Sequence, residues 1–338
     1  MKQVDPRTAI QEMMRAAFPQ AEARVARFYA MQEYQLGWRD ERLTPSHANS
    51  GKLLRPLLSL LACRAAGGAP ERALPLAASI QLVHDFSLIH DDIEDQGETR
   101  RGRPTVWKLW GLAQGINTGD GMLIVAHLAL HRLSEVGVPA EIALEVIRRF
   151  DQTILTVCEG QFLDLSYEGD LRISEADYLA MISRKTATLV AAACELGAIV
   201  GGANAATATA MFDFGQNLGL AFQVQDDVLG IWGDSAMTGK PPAADLHRRK
   251  VSLPIIHALH SAEQREDLMR LYGKQRTDDE DVRRVLDILE QAGARDYTEG
   301  VAVAYHKEAL AALDSVRGDE AALAELRRIT EGLLQRRS

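Results

Sequence analysis

Two apolar helical runs end in paired acids, and nothing else in this chain narrows its possible folds as much. The run Ile80-Gln81-Leu82-Val83-His84-Asp85-Phe86-Ser87-Leu88-Ile89-His90 leads into Asp91-Asp92-Ile93-Glu94-Asp95, and Leu220-Ala221-Phe222-Gln223-Val224-Gln225 leads into Asp226-Asp227. Segments this apolar belong in a core, so their terminal carboxylates sit at an interior rim rather than decorate open surface. Acids held together there repel one another unless positive charge intervenes. Lys52, Arg55, Arg100, Arg101, Lys185, Lys240 and Lys250 stand in the surrounding segments, mostly beside Gly or Pro. Carboxylates interspersed with Lys and Arg suit an anionic ligand that carries Mg²⁺, which points to diphosphate chemistry.

The rest of the chain reads as helix. Leu53, Leu54, Leu57, Leu58, Leu60 and Leu61 recur near the helical repeat, as do Ile80, Val83, Ser87 and His90-Asp91. Alternating runs are scarce, aromatic residues make up only 6% of the chain, and the strong helix formers Ala and Leu are abundant. The expected class is all-α. Breaks fall at 43–51, 67–73, 96–105, 166–174 and 233–245. None is a long low-complexity linker, so one domain over residues 1–338 is expected, its motif-bearing core at about 50–256. From about residue 264 the chain is more charged and reads as peripheral amphipathic helices.

Charge and cysteine usage exclude several classes. A formal net charge of −9 argues against a nucleic-acid groove, which needs a basic stripe. The most hydrophobic stretch, 187–212, is interrupted by Glu195 and rich in Ala and Gly. It reads as one buried core helix, and no integral membrane segment is expected. The first residues lack the apolar core of a signal peptide. Cys63, Cys158 and Cys194 show neither a disulfide framework nor metal-ligand spacing, so a reducing cytoplasm is the expected setting.

In the first acidic cluster Asp91 and Asp95 are i,i+4 and Asp92 and Asp95 are i,i+3, so these acids share a helical face that Glu94 does not. Arg100 and Arg101 follow in Thr99-Arg100-Arg101-Gly102-Arg103-Pro104-Thr105, offering forked donors to phosphate. Upstream, Lys52 and Arg55 project from one turn toward a single anion. Gln161 and Asp164 share a face, and Lys185-Thr186 sets a cation beside a hydroxyl; each pair alone would serve equally as ordinary polar surface. Gln223 lies on the face of Asp226, and 239–250 reads either as a surface loop or as a basic lid closed by Lys240 and Lys250.

Taken in order, GKLLRP, HDFSLIHDDIED, RRGRP, GQFLDL, RKTATL, FQVQDDVLG and GKPPAADLHRRKVSLP resemble the trans-prenyl diphosphate synthase family, and most nearly its short-chain geranylgeranyl and farnesyl types. The resemblance implies a single large helical bundle around a deep central cavity, usually in a homodimer, with the two aspartate motifs facing one another across its mouth. It implies that Asp91, Asp92, Asp95, Asp226 and Asp227 hold Mg²⁺, about three ions per site, on an allylic diphosphate. By the same resemblance Arg100, Lys185, Thr186, Gln223 and Lys240 contact that diphosphate, with Lys250 a further candidate. Lys52, Arg55, His84 and Arg101 match positions that bind isopentenyl diphosphate. The implied reaction is head-to-tail condensation of the two, with no nucleophilic side chain, and the sequence offers no Ser-His or Cys-His constellation.

Two positions depart from the family pattern. Leu53 stands where a basic residue is common, and Gly230 where a third aspartate of the second motif is common. Asp234 lies two helical turns from Asp226-Asp227 and is no substitute. Phe86, five residues before Asp91, limits chain growth by resemblance, or else is simple core packing. The first motif also lacks the two-residue insertion of many bacterial farnesyl synthases. A C20 product is therefore preferred, with C15 the alternative. Three rivals leave features unexplained. A terpene cyclase would lack Lys52, Arg55 and the second Asp pair. A phosphohydrolase built on His90-Asp91 leaves Asp92, Asp95 and that pair idle. A non-catalytic partner subunit has only Gly230 in its favour.

Overall fold

Helix runs through almost every segment in which the periodicity places it. The computed structural model describes residues 5–48, 51–233, 243–261, 263–274 and 277–334. Its helices are α1 (Pro6–Ala17), α2 (Ala26–Gln35), α3 (Leu54–Ala65), α4 (Leu74–Glu94), α5 (Val106–Trp110), α6 (Leu112–His131), α7 (Ala140–Tyr167), α8 (Glu175–Ile182), α9 (Thr188–Val200), α10 (Ala205–Trp232), α11 (Ala244–His247), α12 (Leu253–Ser261), α13 (Arg265–Tyr272), α14 (Asp279–Gln291), α15 (Ala294–Asp314) and α16 (Glu320–Leu334). Among the described residues the only strands are the two-residue β1 (Thr99–Arg100) and β2 (Arg103–Pro104). The class is all-α. No helix of the described residues is long and apolar enough to cross a membrane.

Contacts gather the chain into two compact units: Met1–Asp151 with Ala192–Ala208 and Arg317–Leu323, and Gln152–Ala191 with Thr209–Val316 and Ala324–Ser338. In the first unit α4 is buried nearly all round and packs along α6, where Ser79 Oγ donates to the Ala126 carbonyl at 2.7 Å. Residues 192–200 of α9 lie hard against α3, so that a Cβ at Gly197 would fall 2.3 Å from the Ser59 carbonyl oxygen. Here one expectation is corrected: 187–212 is not one helix. Gly202 turns left-handed (φ 93°), and Asn204 then caps α10 by accepting from the Thr207 N–H at 2.9 Å. A left-handed glycine followed by an Asn cap stops one helix and starts the next.

In the second unit Ile173, Tyr178, Met181, Ile182, Ala187, Leu220, Val224, Leu253, Ile256 and Ala302 share one apolar core. A second core joins Ile231, Leu246 and Ile255 to Val282, Val285, Ile288 and Leu289. The C-terminal helices are amphipathic as expected, yet they contribute more to the core than their charge implies. Ala302 of α15 packs in the same cluster as Val224, three residues before Asp227.

Candidate active site

The first acidic cluster closes α4. Asp91 and Asp92 occupy its last turn and Asp95 is its C-cap residue, with the Asp95 N–H donating to the Asp91 carbonyl at 2.9 Å. A helix C-terminus already carries partial negative charge, so carboxylates here need a cation. Arg100 provides it. Its Nη2 donates to Asp91 Oδ2 at 2.9 Å, and its Nε donates to Asp92 Oδ1 and Oδ2 at 2.8 and 3.0 Å. Asp92 is buried at 4% exposure, while Asp95 is exposed.

The basic turn is folded to make that contact possible. Thr99 pairs with Pro104 and Arg100 with Arg103, around the two-residue turn Arg101-Gly102 with φ of 52° and 75°. Positive φ at both central positions matches the twist of a tight hairpin. The hairpin is fixed from behind by Tyr34, whose hydroxyl donates to the Pro104 carbonyl at 2.7 Å and whose ring lies 3.9 Å beneath the Arg103 guanidinium.

About two helical turns back along α4, a basic group forms around His84. Burial first, then Arg55, Arg101 and Arg100, hold the His84 imidazole well below its usual pKa, so it stays neutral at physiological pH. Arg101 Nη1 approaches the buried Asp85 Oδ1 at 3.7 Å, and Gln81 Nε2 donates to Asp85 Oδ2 at 2.6 Å. Burial pushes the Asp85 carboxyl up to about 6 against the pull of Arg101, Gln81, Arg100 and Arg55. Lys52 stands exposed just before α3. Leu53 turns inward, 5% exposed with φ 51°, so the residue at this departure from the family pattern is core rather than ligand.

The second unit builds its acidic cluster on α10. Asp227 is fully buried and Asp226 exposed. The Tyr178 hydroxyl, on α8, donates to Asp227 Oδ2; Gln223 Nε2 donates to Oδ1 at 3.2 Å, and Lys250 Nζ lies 3.7 Å from the same oxygen. Burial, with Asp227 alongside, holds the Tyr178 phenol firmly protonated. Burial works against the Lys250 charge, but Asp227, Asp245, Asp164 and Asp226 outweigh it and raise the ammonium pKa. Burial also raises Asp227, opposed by Lys250 and Tyr178.

Lys185 and Thr186 sit in a one-turn π-helix, Ser183–Ala187, a widened turn that is frequent at functional sites. Gly160 of α7 makes room for it: a Cβ there would lie 2.2 Å from the Lys185 backbone nitrogen. Lys185 Nζ donates to Asp164, and Thr186 Oγ1 donates to Gln223 Oε1 at 3.0 Å, linking the turn to the Asp227 network. Lys240 lies outside the described residues.

Each cluster therefore offers carboxylates already engaged by a cation or hydroxyl. Among the described residues no three His, Cys, Asp or Glu side chains gather as a ready-made metal cage. Carboxylate oxygens are hard donors of the kind that hold Mg²⁺ one or two at a time alongside phosphates and water. Sequence reasoning missed Asp85, Gln81, Tyr34 and Tyr178. Asp85 had a signal: a lone acid in an apolar run, seven residues before Asp92 and so on its helical face.

The polyprenyl synthetase family model matches residues 40–289. A geranylgeranyl diphosphate synthase of Mycobacterium tuberculosis is 41% identical over 300 residues, 88% of this chain and 85% of that protein. A (2E,6E)-farnesyl diphosphate synthase of the same organism is 40% identical over 267 residues, 78% of this chain and 73% of its own. Among solved structures, a polyprenyl synthetase from Streptomyces coelicolor A3(2) superposes with a TM-score of 0.89 at 34% identity, covering 97% of each chain. A Corynebacterium glutamicum geranylgeranyl pyrophosphate synthase, complexed with isoprenyl diphosphate and magnesium, gives 0.83 at 27% identity over 98% of each. With most of its length matched and both acidic clusters inside that match, the chain belongs to the polyprenyl synthetase family, with its short-chain members.

Proposed function

We propose that this enzyme condenses isopentenyl diphosphate with an allylic diphosphate (dimethylallyl, geranyl or farnesyl), head to tail, into an all-trans short-chain prenyl diphosphate, with geranylgeranyl diphosphate its main product. The observation that carries this reading is the arrangement in the first unit, where the Arg100 guanidinium bridges Asp91 and Asp92 while Arg55 and Arg101 act with it on a neutral His84, seven residues back along α4. Diphosphate-bound metal on one side and a metal-free cationic pocket on the other suit two diphosphates of different fate.

Asp91, Asp92 and Asp95 on α4, and Asp226 and Asp227 on α10, would hold Mg²⁺, about three ions in all, and the metal would supply electrostatic stabilisation of the departing diphosphate. Arg100 neutralises the same oxygens, and Lys185, Thr186, Gln223 and Lys240 orient them, with Lys250 holding Asp227 in place. Arg55, Arg101, Lys52 and His84 bind isopentenyl diphosphate, His84 as a hydrogen-bond partner rather than a charge. Leaving-group ionisation gives an allylic cation, the isopentenyl double bond attacks it, and a proton passes to the released diphosphate. The chain needs no nucleophile, and the two units act as one synthase over residues 1–338.

Phe86 supports the short product. It is 9% exposed, edge-on to His90 at 5.0 Å, and five residues, about 7.5 Å along the axis, below Asp91. The purified protein should convert isopentenyl and farnesyl diphosphates with Mg²⁺ to a C20 product, and a chelator should stop the conversion. A C15 stop would make it a farnesyl synthase with Phe86 as a shallower floor, and failure to elongate any primer would end the proposal.

A homodimer is part of the same proposal. Helix α6 exposes two apolar i,i+4 pairs, Leu112 with Ile116 and Ile124 with Leu128, at 55%, 44%, 58% and 43%, on either side of Asp120, and these suit a second copy of the chain. Light scattering should give a mass near twice the 37.1 kDa of one chain, and a single-chain mass would refute it. The buried thiols Cys63 and Cys194 suit a reducing cytoplasm, which we propose as its setting.

A further inference from the structure

One buried acid takes no part in the proposed chemistry. Asp85 lies on α4 between His84 and Phe86, is 1% exposed, and belongs to neither aspartate cluster. A carboxylate sealed inside an apolar helix is costly unless something nearby needs its charge. Its Oδ2 is held, because Gln81 Nε2, one turn back, donates to it at 2.6 Å. Its Oδ1 is buried, accepts no hydrogen bond, and faces the Arg101 guanidinium, with Nη1 at 3.7 Å.

Arg101 is set to be aimed from that side. It occupies the hairpin turn with φ 52°, which fixes its Cα, while its long side chain reaches back to α4. Gly51, immediately before Lys52, closes another flank: a Cβ there would lie 3.0 Å from Arg101 Nη2 and 3.3 Å from Cζ. Among the described residues Asp85 is the only carboxylate within ion-pair distance of Arg101. Burial pushes the Asp85 carboxyl up to about 6, and Arg101 is the largest influence opposing it, so the acid is mostly ionised at neutral pH. A planar fork binds best when its orientation is preset, since less freedom is then lost as an anion arrives. With Nη1 turned to Asp85, the remaining N–H groups have a set direction.

We propose that Asp85 is a positioning residue for isopentenyl diphosphate: it holds the Arg101 fork in the orientation that receives that diphosphate, and Gln81 in turn holds Asp85. The inference rests on the synthase reading, in which Arg101 binds isopentenyl diphosphate. Removing the carboxylate has two opposite effects. It leaves Arg55, Arg100 and Arg101 with less negative charge nearby, which favours any anion. It also frees the fork, which disfavours this one. Orientation dominates, so the loss falls on isopentenyl diphosphate and spares the allylic substrate.

Asp85→Asn keeps the side-chain shape and removes the charge. Calorimetric titration of the metal-free protein with isopentenyl diphosphate should show binding weakened by about tenfold, the scale of losing one preset side chain. In turnover, KM for isopentenyl diphosphate should rise by the same factor, with kcat and the KM for farnesyl diphosphate within about twofold of wild type. A purely structural role would lower kcat or move both KM values together. Arg101→Gln completes a double-mutant cycle. With the fork gone, Asp85→Asn should add nothing, and the double variant should bind within about twofold of Arg101→Gln. Gln81→Met frees Asp85 Oδ2 at similar volume and should weaken binding by about threefold. It carries the test should Asp85→Asn fail to fold by circular dichroism. Unchanged or tighter binding in Asp85→Asn, additive effects in the cycle, or, in the absence of a folded Asp85→Asn, unchanged binding in Gln81→Met would overturn the proposal. Arg101→Gln alone separates this failure from a wider one. If it weakens isopentenyl diphosphate binding while Asp85→Asn does not, the synthase reading stands without Asp85. If it leaves binding intact, Arg101 does not serve that diphosphate, and the reading of this basic group falls with it.

Discussion

Replacing Asp92 by Asn should lower kcat/KM by about 10³-fold, equivalent to about 4 kcal/mol of lost transition-state stabilisation, with the helical circular dichroism unchanged. The substitution keeps the shape of the side chain and removes its charge. Arg100 would then face one carboxylate where it now donates to two, and the cluster would lose its most buried acid. Glu94→Gln, an exposed change at the last residue of α4, should alter the rate by no more than about twofold. Activity of Asp92→Asn within tenfold of wild type would take the first cluster out of the metal site.

The same residue carries a pH signature. Burial pushes Asp92 up to about 6, against the pull of Arg100 and with a push from Asp91 and Asp95. A carboxyl raised on folding stabilises the metal-free protein below its unfolded pKa, and that contribution fades as pH rises through about 6. Metal binding expels the proton instead. Apparent Mg²⁺ affinity should therefore climb as pH rises through about 6 and then level off, and Asp92→Asn should flatten the climb.

The second large effect is expected at Gly160. A methyl group there would lie 2.2 Å from the Lys185 nitrogen, 2.6 Å from its Cα and 2.7 Å from the Arg184 carbonyl carbon. All of these are main-chain atoms, so no rotamer change relieves the clash. Gly160→Ala should cost about 3 kcal/mol of stability and lower kcat about 10²-fold as the π-turn shifts Lys185 off its place. Gly300→Ala on α15 is the control. Nothing lies within 4 Å of its added methyl, and it should stabilise by about 0.5–1 kcal/mol through helix propensity alone. Denaturant unfolding of the two variants, with a product assay, decides the matter. Equal stability for both would mean the α7 contact is not tight.

What could be read ahead of the structure follows a physical line. The Asp91, Asp92 and Arg100 group was legible because all three lie within one helix end and the hairpin after it, where local geometry rules. The basic group at Arg55, His84 and Arg101 came from resemblance, since its members meet only through folding. Tyr178 was invisible: its bond to Asp227 spans 49 residues and an isolated buried tyrosine looks like packing. The π-turn under Lys185 has no composition signal, because it arises from the close approach allowed by Gly160. The break at Gly201-Gly202 is legible in the sequence, although the hydropathy of 187–212 runs on across it. The approach of Lys250 Nζ to Asp227 Oδ1 at 3.7 Å likewise joins residues far apart in sequence, which no local pattern shows.

The Arg100 bridge has a consequence for how the protein waits between turnovers. A cluster that carries a counter-ion of its own is less self-repelling when no cation is present, since Arg100 offsets part of the charge of Asp91 and Asp92. Ligand arrival is then an exchange of partners rather than the filling of a charged void. On the proposed function, a metal–diphosphate pair would give Arg100 a new anion as the aspartates turn to the metal, whereas a bare cation would not.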